Sequence, residues 1–312
     1  MFVPALAIGL MLQAPAPLPA TESGRVAVSA VIADESGIAK ALDLNDLARW
    51  RVKGGRPAPG SRPLPDAEPA EYKVEASSRS SLTYMLPPGP RTVRLLEVLP
   101  DPGTADAWRS ARLRIVWESD NPVVSRSSLD LPLGLAFAQA EGGPIGESPA
   151  FASDGSAWVN RLPMPYRNQA LLRIDTDRPL SGRLRLKATR GVASDAGYLR
   201  ATPWRIGAAG DLLNESGRGH VVGLLVEGEP GSLDLMNRRQ DLGCLVLDEK
   251  EVKPSPGPAR RFSADPPSFE NSIAVVSVVG GLKKTKATDA RAILFWYSDR
   301  PAAGVAETGA GR

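Results

Sequence analysis

Apolar and charged residues alternate with a period of two through Asn168-Gln-Ala-Leu-Leu-Arg-Ile-Asp175, and again through Arg183-Leu-Arg-Leu-Lys-Ala188. That period belongs to a half-buried strand, whose successive side chains point to opposite faces of a sheet. The two runs predict antiparallel strands with one face in a core and a basic face in water. The preceding Trp158-Val-Asn-Arg-Leu-Pro-Met-Pro-Tyr-Arg167 is expected to be extended or turned. Proline has no N–H to give a ladder and restricts the residue before it.

Similar patterns run along the rest of the chain. Arg25–Ile32 reads as a first strand. Ser80–Leu86 and Arg91–Val98 flank a Pro87-Pro-Gly-Pro90 turn. Ala111–Glu118 puts Leu113, Ile115 and Trp117 on one face, and Arg112, Arg114 and Val116 on the other. Leu129–Gly134, Gly219–Val226, Leu242–Leu247, Ser272–Val279 and Ala290–Tyr297 complete the set. One short helix is expected, over Leu42–Trp50, with Asp43 or Asn45 as its cap and Leu44, Leu47 and Ala48 on one face. Gly/Pro-rich loops are expected at Lys53–Pro69 and Glu141–Ser156. No repeat of fixed period is visible.

About a dozen short strands with frequent turns predict an all-β protein: a jelly-roll sandwich, two of them packed together, with one short helix near the N-terminus. The expected division is a leader over 1–20, a strand and helix over 21–52, a Pro/Gly-rich loop over 53–70, a first jelly-roll-like domain over 71–200, a second, shortened one over 201–300, and a tail over 301–312.

Composition changes this picture in a few places. The 312 residues carry 38 basic and 35 acidic side chains, a net charge of +3. No Lys/Arg block is interleaved with aromatics, so nucleic acid is not expected as a partner. Lys283-Lys-Thr-Lys286 reads as a solvated turn. Met1–Ala20 has no charged residue, and its run Ala5–Leu12 is too short to span a bilayer. It reads as a signal peptide cut near Ala20, although its start lacks the usual Lys or Arg. Export to the periplasm, cell surface or medium is therefore expected, with no integral membrane segment in the mature chain. Cys244 is the sole cysteine, which rules out an intramolecular disulfide and a cysteine zinc cluster. His220 is the sole histidine and reads as structural, in a strand end. No cofactor or metal is expected.

Several segments together resemble glycoside hydrolase family 172, formerly a family of unknown function. They are Leu44-Asn-Asp-Leu-Ala-Arg-Trp-Arg51, Leu113-Arg-Ile-Val-Trp-Glu118 with Ser128-Leu-Asp-Leu-Pro-Leu-Gly-Leu-Ala-Phe137, Val159–Ile174 around Pro163-Met-Pro-Tyr166, Gly219-His-Val-Val-Gly223, and Phe295-Trp-Tyr297. Their order and spacing cover about half the chain. The resemblance implies a double jelly roll, assembly into trimers or larger homo-oligomers, and a carbohydrate ligand. It also implies retaining chemistry on α-linked fructofuranosides or arabinofuranosides, carried by two glutamates.

The chain departs from the family where the chemistry would sit. The family's Gly-Thr-Gly-Thr-Glu-Asp segment is absent, and Ser263-Ala-Asp-Pro-Pro-Ser-Phe-Glu270-Asn271 stands in its place. Retaining hydrolysis needs two carboxyl groups about 5 Å apart, one of them a proton donor. Glu270 is the one candidate catalytic carboxylate; Glu249 and Glu251, in alternating Asp248-Glu-Lys-Glu-Val-Lys253, read as a turn. Trp158 and Trp204 flank loops and are candidate sugar-stacking surfaces, and Arg161 and Arg167 candidate polar contacts. The expected function is a divergent, non-catalytic carbohydrate-binding or surface-assembly protein. The alternative is a retaining α-furanosidase of altered activity; an intracellular protein of the same family is a weaker third reading.

Overall fold

The structure, a computed structural model, describes residues 26–31, 68–118, 127–140, 143–144, 150–193, 196–205, 211–228, 244–252, 268–276 and 291–302. The chain opens with β1 (Val26–Val31). A first group follows: β2 (Glu68–Ala76), β3 (Ser80–Met85), β4 (Arg91–Pro100), α1 (Ala105–Ser110), β5 (Arg112–Trp117), β6 (Leu129–Pro132), α2 (Leu133–Ala136), β7 (Gln139–Ala140), β8 (Gly143–Pro144), β9 (Phe151–Ser153), β10 (Trp158–Asn160), β11 (Met164–Tyr166), β12 (Ala170–Thr176) and β13 (Leu180–Arg190). A second group closes the chain: β14 (Tyr198–Arg205), β15 (Asp211–Ser216), β16 (Gly219–Gly228), β17 (Cys244–Leu247), β18 (Lys250–Val252), β19 (Ser268–Phe269), β20 (Ser272–Val276) and β21 (Arg291–Ser298).

The strand order identifies the architecture. One sheet of the first group runs β2-β13-β4, with β10 and β11 sharing the far side of β4; the other runs β3-β12-β5-β6. Counting β10 and β11 as one interrupted strand, the eight principal strands fall in the orders 1-8-3-6 and 2-7-4-5. Those orders are two nested Greek keys, a jelly roll. The second group repeats them: β14-β21-β16-β19 and β15-β20-β17-β18. The protein is therefore an all-β double jelly roll, with the eight principal strands of each roll following one another in the chain and β1 added to the second roll beside β16.

The sequence pattern explains the sheets. In β13, Leu180, Leu184, Leu186 and Ala188 are buried, while Arg183, Lys187 and Arg190 are exposed. In β5 and β12, Leu113, Ile115, Trp117, Ala170, Leu172 and Ile174 face a common core. Gly219 opens β16 where a side chain has no room: a Cβ there would lie 2.2 Å from the Tyr297 carbonyl oxygen and 2.3 Å from the Phe269 ring. The two rolls share one apolar core. Across it, the Trp117 indole N–H donates to the Leu199 carbonyl at 2.8 Å. The Tyr297 hydroxyl donates to the Pro163 carbonyl at 2.6 Å. The rings of Phe151 and Phe295 meet at 5.7 Å.

Some expectations need correction. The run Leu129–Gly134 is not one strand: it ends at Pro132, whose missing N–H suits the edge of a helix, and Leu133–Ala136 coil as α2. Helix α1 was not anticipated, since it exposes too few turns to show a helical period; Trp108 anchors it, its indole N–H donating to the Ser181 carbonyl at 2.8 Å. The end of the expected loop over Glu141–Ser156 contains β9. The helix expected over Leu42–Trp50, the leader over 1–20 and the tail beyond residue 302 lie outside the described residues.

Candidate functional site

The outer face of sheet β3-β12-β5-β6 carries a lattice of opposite charges. Strand register places Thr83, Arg173, Arg114 and Asp130 side by side in one cross-strand row. The next row out is Ser81, Asp175, Arg112 and Pro132. Arginine in one row therefore meets aspartate in the other. Arg173 Nε donates to Asp175 Oδ1 at 2.8 Å, and Arg112 Nε donates to Asp130. Arg114 Nε stands between two carboxylates, 3.4 Å from Asp130 and 3.5 Å from Asp175, and forms a hydrogen bond with neither.

These side chains floor an open trough of about 1010 Å3. Ser80, Ser81, Ser110 and Thr176 add hydroxyls, and Arg79 and Arg178 also line it. Among the described residues, no aromatic side chain lines it. A second hollow of about 600 Å3, lined by Arg109, Gln139, Glu227 and Arg291, shares Ser110, Pro132 and Arg178 with the first. Burial pushes the Asp175 carboxyl up, but hydrogen bonds from Ser81 and Arg173 and the charges of Arg173 and Arg114 outweigh it and hold it below the ordinary aspartate value. Asp130 in turn holds the Arg112 guanidinium above its ordinary value. Such a surface presents fixed donors and acceptors to a polar ligand. Among the described residues, no group of His, Cys, Asp or Glu side chains could hold a metal ion.

The residues singled out from the sequence lie elsewhere and are scattered. Trp158, on β10, is 2% exposed, and Trp204, on β14, is 8% exposed. Their placement as surface stacking platforms is corrected: both indoles fill the shared core, where a large apolar ring stabilises more than it would at a loop edge. The Arg109 guanidinium sits 5.4 Å above the Trp158 ring. Arg161 is half-buried in the β10–β11 connection, its backbone N–H donating to the Ala150 carbonyl at 2.7 Å. Arg167 donates from Nη2 to the Ala196 carbonyl at 2.9 Å and covers the Tyr198 ring at 4.9 Å, so it ties the two rolls together. His220 is buried against the Tyr297 ring at 5.2 Å.

Glu270 occupies a corner that the first roll also has. In the first roll, Glu118 follows β5 at φ +62, and its carboxylate accepts the backbone N–H groups of Arg167 and Asn168, just before β12. In the second, Asp248 follows β17 at φ +48, and its carboxylate accepts those of Glu270, Asn271 and Ser272, at the entry to β20. The Gly89 N–H donates to the Asn168 carbonyl at 2.7 Å; the Gly217 N–H donates to that of Asn271 at 2.7 Å. Glu270 is thus the topological counterpart of Arg167. It is exposed, and the chain around it is held by Asp248. The left-handed conformation of each acid, uncommon for a residue with a side chain, is offset by the N–H groups that it gathers. The pair Tyr166-Arg-Asn168 and Phe269-Glu-Asn271 carries a trace of this equivalence in the sequence.

The trough residues Asp130, Arg173 and Asp175 were missed. Their signal is the complementary spacing of Arg112-x-Arg114 and Arg173-x-Asp175 with Asp130, which acquires meaning only through strand register.

No family model matches the chain, and no curated protein matches its sequence. Among solved structures, the major capsid protein P2 from bacteriophage PM2 is similar at 9% identity and a TM-score of 0.35, over 78% of this chain and 100% of that one. The STIV MCP is similar at 10% identity and a TM-score of 0.32, over 74% of this chain and 96% of that one. Likenesses this loose carry no argument about function, and the double jelly roll stands on its own strand order.

Proposed function

We propose that this is an exported, non-catalytic carbohydrate-binding protein, a divergent relative of family 172, and that the Arg/Asp trough of the first roll receives the ligand. The observation that carries the reading is the charge lattice itself. Planar guanidinium and carboxylate groups held at fixed spacing suit the paired hydroxyls of a sugar. The double jelly roll agrees with the architecture that the sequence resemblance implies. A non-catalytic role is supported by the state of Asp175, which stays ionised at neutral pH and so cannot serve as proton donor. It is supported also by Glu270, exposed at a corner whose counterpart in the first roll is an arginine.

The test is calorimetric titration with a panel of neutral and uronic-acid oligosaccharides. Binding of at least one class is expected, and Arg114→Ala should weaken it tenfold or more while leaving the fold intact, as loss of a charge-assisted contact worth about 1.5–3 kcal/mol implies. Absence of binding across the panel overturns the binding role. Hydrolysis of nitrophenyl α-arabinofuranoside or α-fructofuranoside that disappears in Glu270→Gln overturns the non-catalytic one.

A further inference from the structure

The two rolls complete the same sheet position by different means. In the first, β10 and β11 together cover the outer side of β4: Met164–Tyr166 pair with Arg91–Val93, and Trp158–Asn160 pair with Leu96–Val98. Three residues separate these two strands, so the cover is local. In the second, β19 takes the place of β11, with Ser268 and Phe269 against His220 and Gly219. Among the described residues, the place of β10 is taken by β1, whose Val26–Val31 pair antiparallel with Gly223–Gly228. The strand that completes the second roll therefore comes from before the first one.

This arrangement leaves β16 dependent on a segment with a long tether. Residues 32–67, 36 in all, lie between β1 and β2. The fully extended length of any 36-residue chain, at about 3.3–3.6 Å per residue, is roughly 120 Å, beyond the width of a domain of this size. An uncovered β16 would present six residues of unpaired backbone in a strand whose Leu224 and Leu225 are already buried, a template for strand addition. The same contacts form whether the strand comes from its own chain or from another. The balance between the two then depends on protein concentration against the effective concentration set by the tether. We propose that Val26–Val31 is an exchangeable donor strand, and that β16 accepts it from a second copy of this chain, so that copies associate by reciprocal strand exchange.

The experiment uses the full chain with Cys244→Ser and one further cysteine, either Val28→Cys or Val226→Cys, at positions paired in register. The two proteins are mixed at high concentration, oxidised, and separated by non-reducing denaturing electrophoresis. A cross-linked dimer that needs both partners is expected, since each chain carries half of the disulfide. It should weaken at least tenfold when the mixture is incubated and oxidised after hundredfold dilution. No mixed dimer, while the doubly substituted chain closes its own disulfide, overturns exchange and leaves β1 a purely internal strand. No disulfide in either case overturns the pairing itself. Light scattering of the native chain gives a check without cysteines. Association that rises with concentration and vanishes in Val28→Pro is expected; a native chain that stays monomeric at millimolar concentration overturns the proposal.

Discussion

The first roll is finished by its own neighbouring chain and carries the charged trough; the second shares its strand order but borrows β1 for the sheet that contains β16. Both pin the entry to their seventh strand with an acid in the left-handed region, Glu118 in one and Asp248 in the other. The corner is thus common to the two rolls, while the cover of the strand edge of β4 or β16 is not. Strand order constrains which backbone edges must meet. It does not constrain where in the chain the covering strand comes from, because an antiparallel ladder is satisfied by any extended segment of the right register.

The largest effects should come from the core that the rolls share. Trp108 in the first roll and Trp296 in the second are both almost wholly buried, and replacing either by alanine should cost about 3–5 kcal/mol. Because one apolar cluster spans both rolls, each variant should show a single calorimetric transition at a lower temperature. Two transitions, with one displaced and the other unmoved, would break the picture of a shared core.

A smaller effect isolates the seam. Tyr297→Phe removes the donor to the Pro163 carbonyl and keeps the ring, so a loss of about 1–3 kcal/mol is expected in denaturant titration. No loss would mean that water reaches this carbonyl and that the seam is looser than its 2.6 Å hydrogen bond implies.

The smallest effect sharpens the likeness of the corners. Burial pushes Asp248 up, but the N–H groups of Glu270, Asn271 and Ser272 and the charge of Lys250 outweigh it, so its folded pKa lies below the ordinary 3.8. A depressed acid contributes stability that is fully present above its unfolded value and is lost as pH falls through the folded one. Asp248→Asn should therefore be less stable than the native chain at neutral pH, and the gap should close below about pH 3.8. A gap that persists unchanged into acid would show that the second carboxyl oxygen, which asparagine lacks, and not the charge, holds the turn. Asp175→Asn in the trough should follow the same course for the same sign of shift.

Much of this fold is legible in the chain alone. Alternation located β12, β13, β5 and β16, and it assigned Leu113, Ile115 and Trp117 to the core face, because a period of two survives whatever the strand packs against. It also showed that β12 and β13 present arginines to water. What alternation could not supply was partnership. Trp158 and Trp204 read from the sequence as surface residues beside loops, yet both are buried in the common core. Asp130, Arg114 and Asp175 lie far apart in sequence and meet only when β6, β5 and β12 are laid in register. The equivalence of Glu270 with Arg167 became visible through matching hydrogen bonds and not through a repeat, since backbone N–H groups impose almost no demand on the side chains of the residues that donate them. Local pattern fixed which residues face inward; the long-range ladders decided which charges become neighbours and which strand closes each roll.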